Sequence, residues 1–163
     1  MFTNHLPKIG ARNFKTALSI FLCIIILNLL GFDSPFYACI ASVICLTDSC
    51  DTSIKMGINR MIGTVIGGTF GMIATIILSK YDTTLLRTIL ICLFTVFVIY
   101  VCTILKKPGS VSIACIVLLA NLLLNRDYSN YIYTFSRIIE TFIGIIIAVG
   151  VNVYIMPPKK KNA

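Results

Sequence analysis

The stretch Asn59–Lys80, NRMIGTVIGGTFGMIATIILSK, puts an arginine at the mouth of an apolar run and glycines at Gly63, Gly67 and Gly71, four residues apart. A run this long and apolar predicts a helix that crosses lipid, because about 17–25 residues span the hydrocarbon while a helix satisfies its own backbone. Residues four apart share one helix face. Small ones there let a second backbone come close, so the glycines read as packing positions rather than ligands.

The rest of the chain has the same character. Its 163 residues are 58% hydrophobic with a mean hydropathy of +0.95, well above the roughly 45–50% apolar content of soluble domains. Long apolar runs also cover Thr16–Gly31, Thr88–Leu105 and Ile138–Met156, with Met61–Leu78 inside the opening stretch. Two shorter runs, Pro35–Leu46 and Val111–Leu124, complete six expected spans. The division is a 1–15 arm, a 16–156 membrane domain and a basic 157–163 tail. The first run is too long for a signal-peptide core and no A-x-A-like site follows it, so it is expected to be retained.

With the N-terminus inside, Lys8, Arg12, Lys15, Lys55, Arg60, Lys106, Lys107 and Lys159–Lys161 face the cytoplasm. Lys80, Arg87, Arg126 and Arg137 then face out, ten against four, as the positive-inside rule requires. This predicts a multi-pass cell-membrane protein with both termini cytoplasmic, and it explains the +8 net charge through contact with anionic membrane lipid. Nucleic acid is excluded as a partner, since the basic residues share no soluble face. The seven cysteines stand singly and His5 is the only histidine, so no metal or other cofactor site is expected. No phosphate-binding G-x-x-x-x-G-K-[ST] loop occurs. No nucleophile-and-base pair stands among the polar residues of the spans, which argues against an enzyme.

The chain repeats itself. RMIGTVIG (Arg60–Gly67) and RIIETFIG (Arg137–Gly144) match at five of eight positions. KTALSIFL from Lys15 resembles RTILICLF from Arg87, and SPFYACIASVIC from Ser34 parallels KPGSVSIACIVL from Lys107. Three spans per copy reverse the second copy, so the fold expected is all-α, integral to the membrane, with six transmembrane helices as two inverted repeats, about 12–79 and 84–156. Secondary transporters use such repeats, with sites near the midplane marked by short or proline-interrupted segments. Pro35 and Pro108 open the two short runs.

These residues resemble the membrane domain of the aromatic acid exporter family, Gram-positive type, within the fusaric acid resistance superfamily. The likeness runs from about Arg12 to Met156, and its most specific elements are R-x-x-G-T-x-x-G-G and S-P-F-Y-A-C-I-A. It implies six helices, a homodimer, and efflux of small aromatic or other organic acids. More distantly, the chain is similar to plant aluminium-activated malate transporters, dimeric anion channels with basic residues along the pore. Many relatives continue with a soluble domain or a second membrane half, whereas this sequence stops at MPPKKKNA, which adds an accessory subunit to the expected partners. A non-transporting membrane subunit is therefore the alternative function.

Under this reading the substrate-binding candidates are Arg60, Arg137, Glu140, Tyr37 and Lys15. The arginines recur in register beside a Thr and a Gly, which simple anchors need not do, and each is expected at the N-terminal end of its helix, where the dipole favours an anion. Glu140 is placed to pair with Arg137 at i, i+3 or to carry a proton. Tyr37 offers a stacking face or an interfacial anchor. Gly63, Gly67, Gly71 and Gly144 are assigned to helix packing. Asp48 and Asp51 are expected to cap the third helix or line the inner loop.

Overall fold

The computed structural model describes residues 10–32, 34–47, 49–80, 83–123 and 131–155. Most of the arm, Asp48, Arg126 and the tail lysines lie outside the described residues. These form α1 (Ala11–Leu29), α2 (Phe36–Cys45), α3 (Cys50–Lys80), α4 (Thr84–Ile104), a short 3-10 turn (Pro108–Ser110), α5 (Val111–Leu123) and α6 (Tyr131–Tyr154). Four of them are long and apolar enough to cross a membrane, over Arg12–Leu29, Cys50–Ser79, Thr84–Ile104 and Thr134–Tyr154. The protein is a multi-pass, all-helical membrane protein.

The helix ends follow from local chemistry. Pro35 precedes α2 and Pro108 opens the 3-10 turn, a first-turn position where the missing N–H costs nothing. Thr83 caps α4 by accepting the Leu86 N–H. At the head of α3 the capping oxygen comes from Ser49, which accepts the Thr52 N–H at 3.2 Å. Asp51 lies inside the first turn, where its charge suits the dipole.

Two expectations change. α3 begins at Cys50, eleven residues before the apolar run that announced it. The ten residues of α2 rise only about 15 Å, half of a hydrocarbon core. The short helix runs back along α1, and the backbone at its C-cap, Leu46, is extended. Ala38 packs near Cys23 and Leu27, Ser42 donates to Ser19 at 2.5 Å, and Thr47 and Ser49 reach the Asn152 amide, whose Oδ1 accepts from Lys15 near the start of α1 at 3.0 Å.

The most extensive helix contacts join α3 to α5 and α2 to α6. A Cβ on Gly67 would collide with the Ala114 carbonyl, and one on Gly144 with the Ala38 carbonyl. Both alanines head an Ala-Cys-Ile triplet. Gly63 meets the Ser110 carbonyl and Gly71 meets Asn121. The glycine stripe thus packs within its own chain. α3 runs parallel to α5 and antiparallel to α6, against which Gly57 faces Ile145 and Gly68 faces Ile138. Exchanging α1 with α4, α2 with α5 and α3 with α6 reproduces the principal helix pairs, including α1 with α6 and α3 with α4.

Candidate functional site

Among the described residues, four charged side chains lie inside this bundle. Lys15, Arg60, Arg137 and Glu140 are 6%, 7%, 5% and 6% exposed. An isolated charge in an apolar interior is costly, so each must be paired, wet or functional.

Lys15 is paired. Its Nζ donates to Asn152 Oδ1 at 3.0 Å and to the Asn152 carbonyl at 3.4 Å. The Asn152 amide in turn donates to Ser53 Oγ at 2.6 Å and to the Thr47 carbonyl at 3.0 Å. This network ties α1, α3 and α6 together at one end, with two of the three ammonium donors of Lys15 engaged by Asn152. Lys15, expected among the substrate ligands, is thus held in place by Asn152 at one end of the bundle.

Arg60 differs. It lies beside Cys45, and its Nε is buried with no hydrogen-bond partner among the described residues. Its expected seat at a helix end is corrected by the early start of α3. Ten residues, about 15 Å, separate it from Cys50, and the dipole effect fades within the first turn. Whatever anion Arg60 attracts is attracted by the guanidinium itself. Arg137, six residues after the start of α6, is likewise beyond the first turn.

At the other end of α2, the Arg137 guanidinium lies 4.3 Å from the centre of the Tyr37 ring. The stacking expected of Tyr37 is made to this arginine. Glu140 follows Arg137 by one turn, and its Oε2 is buried without a hydrogen-bond partner among the described residues. Tyr37 and Cys45 are eight residues apart on α2, so the two arginines mark points about 12 Å apart along that helix.

Further polar atoms join them. Thr64 Oγ1, Ser110 Oγ and Asn121 Nδ2 are also buried without partners among the described residues, although Asn121 Oδ1 accepts from Thr134 at 3.3 Å. Each such group costs about 1–3 kcal/mol if left dry. Carried on α3, the 3-10 turn, α5 and α6, they leave hydrogen-bonding capacity unspent among close-packed helices. Among the described residues no group of three His, Cys, Asp or Glu side chains is placed to hold a metal ion.

The sequence signature described as aromatic acid exporter family member 1 matches residues 7–155. The chain belongs to the aromatic acid exporter family. A UPF0421 protein of Staphylococcus epidermidis is 30% identical over 152 residues, which are 93% of this chain and 44% of the relative. A UPF0421 protein of Staphylococcus haemolyticus matches to the same extent, and one of Staphylococcus aureus USA300 is 29% identical over the same shares. The chain therefore spans less than half the length of the curated relatives it matches. No solved structure matches it.

Membership agrees with the resemblance carried by Arg60, Gly63, Gly67 and the segment after Ser34, and it places the chain in a family of membrane transporters. In this exporter-family chain, sequence reasoning found the buried charges but missed Asn121, Asn152, Thr64 and Ser110. The signal for the asparagines was present, a polar amide inside the apolar runs VLLANLLL and IAVGVNVY, and such residues rarely face lipid.

Proposed function

We propose that the chain carries small organic or aromatic carboxylate anions across the cell membrane, along a path between α2, α3, α5 and α6 that Arg60 and Arg137 mark. One observation carries this reading. Arg60 is a buried cation whose Nε has no hydrogen-bond partner among the described residues. A guanidinium fork matches a carboxylate with two parallel hydrogen bonds. Thr64 and Ser110 add hydroxyls, and the Arg137–Tyr37 stack supplies positive charge and an aromatic face.

We read the architecture as two inverted three-helix repeats. Support comes from the exchange symmetry of the helix pairs and the reciprocal contacts of Gly67 with Ala114 and Gly144 with Ala38. Both termini are taken as cytoplasmic from the charge split. The working unit we propose is a homodimer that meets through the exposed face of α4, where Leu93, Val96, Phe97 and Tyr100 line an apolar groove of about 960 Å³. Cys92 lies exposed in that groove, so thiol cross-linking in membranes should trap a dimer through it.

The functional test is flux of benzoate, malate and chloride into liposomes holding the purified chain, with and without a pH gradient. Arg60→Gln and Arg137→Gln should lower carboxylate flux at matched protein density, and Arg60→Lys should keep part of it. Unchanged flux in both glutamine variants would reduce the arginines to structural cations. Absence of flux from the wild-type chain alone, restored by a second membrane subunit, would favour an accessory role.

A further inference from the structure

Away from the buried arginines, a second cationic feature lies where α3 passes the turn between α4 and α5. A cavity of about 350 Å³ is lined by Lys55, Ile58 and Asn59 from α3 and by Lys106, Lys107 and Pro108 from the turn. All three lysines are exposed, and none of the described residues lining the cavity is acidic. Gly109 completes the wall, and a Cβ there would stand 2.5 Å from the Asn59 amide nitrogen. Glycine keeps the amide at the rim.

The backbone at Lys106 is informative. Two helix ends in the chain close in the same way. After α1, Gly31 N–H bonds the Asn28 carbonyl and Phe32 N–H bonds that of Leu27; after α4, Lys106 N–H bonds Thr103 and Lys107 N–H bonds Cys102. This six-to-one and five-to-two pattern needs a left-handed residue at its centre, ordinarily glycine. Gly31 supplies it with φ 78°, whereas Lys106 adopts φ 53° with a full side chain. The closure itself does not require lysine, and glycine would make it without steric cost. The neighbouring position shows the same contrast, Phe32 in one turn and Lys107 in the other. Ending the helix therefore does not account for lysine at either position.

Their depth suggests what. Lys106 and Lys107 follow directly on the Thr84–Ile104 span, at the level where a transmembrane helix leaves hydrocarbon. The Cys50–Ser79 span of 30 residues is about 45 Å long against about 30 Å of hydrocarbon, so its first turns, Lys55 among them, reach the headgroup layer. Three ammonium groups open to that layer match a phosphate, and Ile58 with Pro108 gives an apolar floor. We propose that this pocket binds the phosphate of an anionic phospholipid headgroup, with the glycerol and first acyl carbons over Ile58 and Pro108. The site is separate from the buried arginines and does not depend on their role.

Native mass spectrometry of the full chain in detergent, titrated separately with phosphatidylglycerol, phosphatidylcholine and glycerol phosphate, tests it. Phosphatidylglycerol should be retained in preference to phosphatidylcholine. Lys106→Gly should weaken that retention about fivefold, and the triple variant Lys55→Gln, Lys106→Gly, Lys107→Gln on the order of a hundredfold, from the contribution expected of each lysine near a membrane surface. Since glycine suits the backbone at 106, Lys106→Gly should melt no lower than wild type, which separates lost binding from lost fold. Equal retention of the two lipids, or undiminished phosphatidylglycerol binding in a folded triple variant, would overturn the proposal. Glycerol phosphate binding as tightly as the lipid would overturn the lipid assignment in favour of a soluble phosphate ester.

Discussion

Replacing Gly67 by alanine adds one methyl group at the closest approach of α3 and α5, and the outcome follows from what that methyl meets. The nearest atoms are the carbonyl oxygen, carbonyl carbon and Cα of Ala114, all main chain, so no flexible side chain can swing aside. Alanine in a helix interior gains about 1 kcal/mol over glycine, while forcing extra volume into a packed contact costs about 1–3 kcal/mol and sometimes more. With backbone as the obstacle the cost belongs at the upper end, leaving a net loss of about 1–2 kcal/mol. Gly144→Ala should lose a similar amount against Ala38. Gly150→Ala is the internal control: nothing lies within 4 Å of its added Cβ, so the helix gain stands uncontested. At about 2–4 °C per kcal/mol for a chain of this size, Gly67→Ala and Gly144→Ala should melt roughly 2–8 °C below wild type and Gly150→Ala about 2–4 °C above it. The assay is the fraction of monodisperse protein that survives a temperature series, read by fluorescence-detected size exclusion. If Gly67→Ala and Gly144→Ala survive as well as Gly150→Ala, the close backbone approach is refuted.

Asn152→Ala removes the side-chain acceptor of the buried Lys15 ammonium and should destabilise by about 3 kcal/mol, whereas adding Lys15→Met to it should recover part of the loss; a double variant as unstable as the sum of its parts would contradict the pairing. Tyr37→Phe keeps the ring beside Arg137 and should retain carboxylate flux, while Tyr37→Leu removes a contact of about 0.5–2 kcal/mol and should reduce it; equal flux in the two variants would remove the ring from the mechanism. A reporter active only in the cytoplasm should work when fused after Ala163, and silence from it beside a working external reporter would reverse the orientation.

Hydrocarbon thickness made most of the helices legible, because lipid forces apolar runs of known length and Pro35 and Pro108 punctuate the two that fall short. The eleven-residue extension of α3 was not, since Cys50–Arg60 carries Asp51, Lys55, Asn59 and Arg60 and its start depends on a Ser49 cap that composition does not announce. Arg60, Arg137, Glu140 and Lys15 stood out in the sequence because charge near apolar runs is costly, yet their environments were not readable. Lys15 donates to Asn152, a residue 137 positions away. Spacing showed that Gly67 admits a backbone but not which one, for a small-residue stripe specifies an approach distance and leaves the partner to tertiary structure.

The packing of α3 on α5 and of α2 on α6 also constrains how the protein is made. Synthesis delivers α3 to the membrane before residue 110 exists, so Gly63 and Gly67 wait without the carbonyls of Ser110 and Ala114, and Arg60 waits inside an unfinished bundle. Ala38 waits longer still, until Gly144 is inserted. The first half therefore keeps these contact surfaces uncovered throughout translation of the second. Each half also carries the surfaces that complete the other, so two fragments cut between α3 and α4 and co-expressed should find one another in the bilayer, while either fragment alone should be degraded.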